Sequence, residues 1–552
     1  MQRPDRWTRR DLLQAAALAL PALPAITALQ RLAQAAAALK WSSSSPSSSP
    51  SPPLPPLSPP PPPAASPARG PLQVVVVGAG MAGLAAAYEL VALGHAVTVL
   101  EAQDRSGGRV YTLRQPFADG LYAEAGAIGF SESYRHLMRY LKLFDLPSGP
   151  PARDPLATVY HLRGKRLASR PGPGVRQPDW PFQLTAEEKL LGLDGMFQKH
   201  FAVADKIGDP AAPGWRLEPW KSYDQMTLSE LLRRQGASAE AVELLGDTVW
   251  FGYGWSQVSA LHRLLSDVAL FYLGQSSRVI PGGSDLLPKA FAAALGGRIQ
   301  YRSPVARIVH EPGAVRVVFQ QGGAERSLAA DRLICTVPCP ALRKIVFGPE
   351  LPARKREIVE QLDYNPVTRI FLQARRRFWT DAGEAGSAFT DLPIQLVTEH
   401  PLTRPAEPGK AAARGILECH VKGPEALRIA ALDQAEQLAW AVDHMEQVHP
   451  GFKRHFEGGA VVAWGADPWA GGGYAWWRPG QLSEWVPELA RAVGRVHFAG
   501  EHTSLLARTL EGALESGNRA AREVHAAPRP LSPLAGSLPA AAGRRAIEGL
   551  WS

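Results

Sequence analysis

The first strong pattern in the chain is an unbroken apolar run at residues 74–77, four valines that end on Gly78. Consecutive β-branched residues predict a strand buried on both faces, as in the centre of a parallel sheet. Residues 84–93 then take helical length and composition, and 96–100 form a second apolar strand that closes on Glu101. Strand, helix and strand in this order predict a βαβ unit and an α/β fold. Further on, Leu137, Tyr140, Leu141 and Phe144 recur at helical spacing. Helical runs over 186–204, 227–234 and 239–249, with few strand signals between them, predict a helical insertion. A helix over 286–295 precedes strands at 298–302, 305–310, 314–319 and 332–337. Alternating segments at 367–372 and 415–421 predict a mixed sheet that floors a pocket.

The turn after the first strand carries the chemistry. Gly78, Gly80 and Gly83 stand at G-x-G-x-x-G spacing between a predicted strand and a predicted helix. Gly78 permits the tight turn, Gly80 lets the backbone approach a pyrophosphate, and Gly83 lets the helix pack closely on the strand. Met81 and Ala82 open the helix, whose N-terminus attracts phosphate, and Glu101 is placed to accept from ribose hydroxyls. The expectation is a bound dinucleotide.

Residues 101–110, Glu-Ala-Gln-Asp-Arg-Ser-Gly-Gly-Arg-Val, continue from that acid into a Gly-Gly-Arg turn. This stretch resembles the flavin amine oxidase superfamily. So do residues 495–503, Arg-Val-His-Phe-Ala-Gly-Glu-His-Thr, and residues 510–517, Leu-Glu-Gly-Ala-Leu-Glu-Ser-Gly. The resemblance spans about 72–525 and implies FAD, contacted by Ala102, Gly108 and Arg109 as well as the residues above. It also implies Val305 as a second adenine-side contact, Gly500 and Glu501 in the closing turn, and Leu510 at the start of the helix facing the flavin pyrimidine. The implied architecture is a discontinuous Rossmann-like FAD-binding domain over 71–130, 278–340 and 460–526. A helical part (131–277) and a sheet part (341–459) make up the substrate domain.

The implied reaction is oxidation of a C–N bond, with a hydride passing from the α-carbon of a neutral amine to flavin N5. The resulting imine hydrolyses, and O2 reoxidises the flavin to give H2O2. Four positions decide the version. Gly473 stands where mitochondrial-type relatives carry a flavin-linked cysteine, so FAD is expected without a covalent bond, and Tyr474 fits one wall of an aromatic cage. The opposite wall is Thr509, which leaves the cage half open, with Trp464, Trp476 or Trp477 as replacements. Arg369 replaces a lysine that reaches flavin N5 through water. Its readings are an ordered water, an anionic substrate group, or a strand arginine paired with a carboxylate. Gly129 stands where L-amino acid oxidases place a carboxylate-binding arginine, which favours an amine over an amino acid. An L-amino acid oxidase, or a dehydrogenase or desaturase that uses an electron carrier instead of O2, are the alternatives.

Composition changes the picture mainly at the ends. The net charge is +9, but residues 1–70 account for +5 of it, leaving a folded part of ordinary charge. Nucleic acid binding is not expected, and Arg375-Arg376-Arg377 reads as a solvated face beside a strand. Thr8-Arg9-Arg10-Asp11-Leu12-Leu13 and the apolar segment after it resemble a twin-arginine signal over 1–38, which predicts export to the periplasm or beyond by the twin-arginine translocation machinery. An uncleaved signal would leave a membrane anchor. Residues 39–70 form a Ser/Pro-rich linker, and 527–552 a tail too polar and Pro-rich to pack. The expected partners are thus a small amine or amino acid, O2 or an electron carrier, the export machinery, and a second copy in a homodimer. Cys335, Cys339 and Cys419 have no metal or redox spacing and are expected to be buried thiols. No metal site or Ser/His/Asp signature is present in the pattern.

Overall fold

The computed structural model describes residues 70–527, apart from 152–155, 171–177, 208–219, 249–253, 255, 267–276, 312 and 401–413. The signal-like segment, nearly all of the Ser/Pro-rich linker and the C-terminal tail lie outside the described residues.

Strand β1 (Gln73–Val77), helix α1 (Met81–Ala92) and strand β2 (Ala96–Leu100) form the expected unit. The all-parallel sheet around β1 runs in the order Val496–Phe498, Arg332–Cys335, β1, β2, Ile299–Gln300. Three distant stretches of sequence therefore meet in one sheet. Val74 and Val76 pack with α1 and with helices Leu286–Leu295 and Leu510–Ala526, whereas Val75 and Val77 face the opposite core. Burial on both faces is why the run tolerates no polar residue. The Glu511 carboxylate accepts from the backbone N–H groups of His136 (2.8 Å) and Leu137 (2.9 Å). It caps helix Arg135–Leu143 and so ties the closing helix to the start of the insertion.

A second, seven-stranded sheet runs Phe456–Ala463, Val367–Ala374, Gly415–Lys422, Leu396–His400, Glu384–Thr390, Ala157–Leu162, Lys165–Ser169. It is mixed, because Glu384–Thr390 pairs parallel with Ala157–Leu162 while its other neighbours are antiparallel. Its last two strands correct the reading of 131–277 as helical. They form a hairpin whose two-residue turn, Arg163-Gly164, has positive φ at both positions (48° and 72°), the geometry that matches strand twist. The strand Phe456–Ala463 likewise runs across the boundary expected at 459/460. Helices Ala186–Phe201 and Leu228–Arg234 begin at reciprocal capping boxes, Thr185 with Glu188 and Thr227 with Glu230. The three cysteines are buried free thiols.

Candidate active site

The glycine turn sits at the carboxyl end of β1, where the strand order reverses and open α/β sheets bind ligands. Each glycine has its own steric reason. Gly78 has φ +101°, and a Cβ there would meet Thr336 Oγ1 at 2.6 Å. That hydroxyl donates to the Val77 carbonyl (2.7 Å) and closes the gap between the two central strands. A Cβ on Gly83 would lie 2.0 Å from the Gly78 carbonyl oxygen. Gly80 differs: nothing lies within 4 Å of its notional Cβ. Its small size keeps open space beside the N-terminus of α1, which has no side-chain cap and leaves the N–H groups around Met81 and Ala82 to an anion. Glu101, buried, accepts from the N–H groups of Ala79 (2.6 Å) and Gln103 (2.8 Å), and burial pushes its pKa up. These residues fit a dinucleotide diphosphate and ribose.

The contrast between the glycines is testable. Gly80→Ala should leave the apoprotein's melting temperature unchanged and weaken FAD binding by about tenfold or more, or ~1.4 kcal/mol. Gly83→Ala should instead destabilise the apoprotein by ~1–3 kcal/mol through overpacking. Equal effects of the two variants on apoprotein melting would refute the assignment.

Arg109 joins the two ends of the motif. Its Nη1 donates to the Gly473 carbonyl (3.0 Å) and to Glu501 Oε1 (3.0 Å). The same Glu501 carboxylate accepts from the N–H groups of Ala475 (3.2 Å) and Arg508 (2.9 Å). Burial pushes Glu501 up, but the Arg109 guanidinium outweighs it and holds the group below the ordinary carboxylate range. The Glu501 side chain thus fixes three loops, and the turn itself is held by Ser516 Oγ, which accepts from the Gly500 N–H (3.0 Å), and by Thr503 Oγ1, which donates to the Gly500 carbonyl (2.9 Å).

One cleft of about 800 Å³ connects these parts. Gly78, Gly80, Glu101, Ala102, Gly108 and Val305 line it at one end, and Tyr474, Trp464, Arg369, His420, Arg508 and Thr509 at the other. Gly500 and Leu510 also face it. The strand of Val305 bulges between Val305 and Arg307. Asn365 Nδ2 donates to the Tyr474 hydroxyl (2.9 Å) and fixes that ring. Trp464 Nε1 donates to the Ala125 carbonyl (2.7 Å), which makes Trp464 the cleft-lining member of the three tryptophans considered. Trp476 and Trp477 are packed in the core.

Thr509 turns out to have a local task. Its hydroxyl accepts from Gly512 N–H (2.9 Å) and donates to the Leu506 carbonyl (2.6 Å), capping helix Leu510–Ala526. The uncharged cap leaves the positive end of that helix facing the cleft.

Arg369 is 2 % exposed and forms a two-pronged pair with Glu418, itself 0 % exposed, at 2.5 and 2.7 Å. Its Nη1 also donates to the Gly126 carbonyl. Of the readings open in the sequence, the paired strand arginine is the arrangement present. The unfavourable burial of Glu418 is overcome by Arg369 and by His400, which approaches Oε2 at 2.7 Å, so its pKa is held far below the usual range. His420, directly opposite Arg369 on the neighbouring strand, lies 3.2 Å from Glu418 Oε1. Burial drives its pKa well down, keeping the imidazole neutral. The alternation Glu418, His420, Lys422 in an otherwise apolar strand is the sequence signal that marked this polar face.

Arg377 corrects the reading of 375–377 as a solvated run. It is buried, paired with Glu399, and lines the cleft, its stem packed over Gly415, where a Cβ would meet Arg377 Cγ at 2.8 Å. Arg376 does stay at the surface with Asp381. Gly129 lines the cleft without a side chain. No group of three or more His, Cys, Asp or Glu able to hold a metal occurs among the described residues.

Fold and cleft together define an α/β protein whose glycine turn fits a dinucleotide and whose cleft runs on from it to an aromatic wall and a helix N-terminus. The sequence model of the flavin containing amine oxidoreductases matches residues 81–525. The chain belongs to this family and is a flavin-dependent amine oxidoreductase. It is 31% identical over 477 residues to YobN of Bacillus subtilis (strain 168), covering 84% of this chain and 96% of that protein. It is 31% identical over 463 residues to the L-amino-acid oxidase of Siganus canaliculatus, covering 82% and 85%. A solved putrescine oxidase bound to putrescine superposes with a TM-score of 0.68 at 23% identity, covering 83% of this chain and 99% of that one.

Proposed function

We propose that the protein uses non-covalently held FAD to oxidise the C–N bond of a small amine-bearing substrate, with O2 as the final acceptor. The observation that carries this reading is the continuity of the cleft from the glycine turn to the Tyr474 and Trp464 wall. When bound, the flavin supplies a two-electron acceptor for the substrate's α-C–H bond and delivers the electrons to O2 as H2O2. The chain's own part is to bind, orient and dry. Tyr474, braced by Asn365, and Trp464, braced by Ala125, form a low-dielectric wall that favours the neutral amine over its ammonium form. The Arg109–Glu501 node holds the loop bearing Tyr474 at fixed distance from the cofactor turn.

Non-covalent attachment is supported at Gly473, where a Cβ would already meet Val367 Cγ2 at 2.7 Å, and by the burial of all three cysteines elsewhere. The neutral Arg369–Glu418 pair and the bare Gly129 support an amine. Arg508 in the cleft, together with the L-amino-acid oxidase among the relatives, favours an α-amino acid as the second reading. Export through the Arg9-Arg10 signal belongs to the same proposal.

The holoenzyme should release free FAD on acid precipitation, leaving a colourless pellet. Mixed anaerobically with a panel of amines and amino acids, it should bleach with at least one of them, and air should then restore the colour with one H2O2 formed per flavin. Bleaching by none of them refutes the oxidase reading. Flavin in the pellet refutes the mode of attachment.

A further inference from the structure

Buried polar atoms nearly always have hydrogen-bond partners, so each exception calls for a reason. Two exceptions stand side by side in the wall of the cleft. Thr398 is 9 % exposed, and its Oγ1 makes no hydrogen bond among the described residues. Neither ring nitrogen of His420 makes one, since its 3.2 Å approach to Glu418 lacks hydrogen-bond geometry. Glu418 is already taken by Arg369 and His400. Ser387, another hydroxyl of the same wall, shows the ordinary case: it accepts from the Glu399 N–H (3.2 Å).

The sheet register makes one site of the pair. Thr398 stands directly opposite Glu418, and His420 opposite Leu396, on the antiparallel strands Leu396–His400 and Gly415–Lys422. Thr398 and His420 are thus diagonal neighbours on one face, about 7–8 Å apart, so one small group between them reaches both. His420 is also opposite Arg369, and Thr398 lies one strand further from it. Leu396 and its cross-strand partner Phe389 complete this wall with apolar surface. The Arg369 and Glu418 charges cancel, which leaves no net charge for a ligand to meet.

We infer that Thr398 and His420 form a specificity subsite for a neutral carboxamide carried at the far end of the substrate from its amine. This rests on the oxidase reading above and deepens it. A hydrocarbon terminus would leave Thr398 Oγ1 and both His420 nitrogens buried without partners. A charged terminus would be buried against an imidazole and a hydroxyl with no counter-ion. The neutral imidazole has one donor and one acceptor nitrogen, and the hydroxyl can play either part. A carboxamide donates from one atom and accepts at another, so it spans the diagonal between them.

The test uses holoenzyme and two series that differ only at the terminus. One is glutamine, homoleucine and glutamate; the other is their decarboxylated counterparts, 4-aminobutanamide, 4-methylpentylamine and 4-aminobutanoate. In the series that is oxidised, the carboxamide should reduce the flavin at least about 30-fold more efficiently than either analogue. Thr398→Val removes the hydroxyl and keeps the branched shape. It should cut the preference over the isopropyl compound about tenfold, with the isopropyl compound itself changing less than about threefold. Thr398→Ser, which keeps the hydroxyl, should retain the preference to within about threefold. Without substrate, Thr398→Val holoenzyme should carry full FAD and melt no lower than wild type, because a hydroxyl without a partner stabilises nothing. Equal efficiency of carboxamide and isopropyl compounds in wild type overturns the inference, as does a preference that survives Thr398→Val or a lowered melting temperature in that variant. Pentanamide has the carboxamide and no amine. If it binds by calorimetry to wild type, more weakly to Thr398→Val, and no compound bleaches the flavin, the subsite stands and the oxidase reading alone is overturned.

Discussion

Replacing Glu418 with alanine is expected to destabilise the protein by about 3–5 kcal/mol, among the largest effects of any single change near the cleft. The reason is what it leaves behind. Arg369 is 2 % exposed and its Nε and Nη2 both point at the lost carboxylate, so a charged guanidinium would remain buried without its counter-ion. His400 would lose its partner at the same time. Removing both charges, as in Arg369→Met with Glu418→Leu, should recover most of the loss, because an apolar pair needs no compensation. Urea unfolding of the wild type, both single variants and the double variant, at saturating FAD, gives the coupling energy directly. A Glu418→Ala variant within about 0.5 kcal/mol of wild type would show that the pair is open to solvent and that Arg369 is free for substrate.

Acidification from pH 7 to pH 5 should cost several kcal/mol of stability. Four buried histidines drive it. Burial lowers His449 and His502 to about 4, and lowers His262 and His420 well below the ordinary value. A histidine with a depressed folded pKa favours the neutral form in the folded state, so the unfolded chain binds more protons below pH 6.5. Its contribution is complete above that value and is lost as pH falls toward 4. At pH 5 the loss is set by the unfolded value, about 2 kcal/mol for each of the four. Four carboxyls raised by burial oppose it, Glu101, Glu124, Asp247 and Glu515. Burial raises Glu124 to about 7 and Asp247 to about 6, so each is protonated earlier in the folded state and returns about 1–2 kcal/mol over the same window. The histidines win. Melting at saturating FAD should therefore drop by several degrees between pH 7 and pH 5, and an equal or higher melting temperature at pH 5 would contradict the assignment of these rings as neutral. His449→Gln, which keeps a donor toward the Gly386 carbonyl 2.9 Å from Nε2, should flatten the profile.

The sequence by itself determined what depends on local covalent and steric rules. The valine run, the three glycines and Glu101 specify a strand, a turn and a helix start within thirty residues. Gly78 and Gly83 are required by contacts made within that unit or with the adjoining strand, whereas Gly80 keeps open the space beside the helix start. The capping boxes at Thr185 and Thr227 were equally readable, because a cap is satisfied by residues three positions away. The hairpin around Arg163-Gly164 was readable in principle from its alternation, and was missed because helical signals dominate the stretch around it.

Tertiary structure decided everything that depends on pairing across distance. Arg369 and Glu418 are 49 positions apart and meet only because their strands are antiparallel neighbours, so the sequence left the arginine's role open. Arg377 looked like one of three surface cations until Glu399 was folded against it. Thr509 looked like a missing aromatic wall, whereas its hydroxyl caps a helix. Thr398 drew no attention in the sequence, since a hydroxyl's lack of a partner shows only once Glu418 and His420 stand beside it on the next strand. Charge partners and unmet hydrogen bonds are relations between distant residues, and only the folded chain brings those residues into contact.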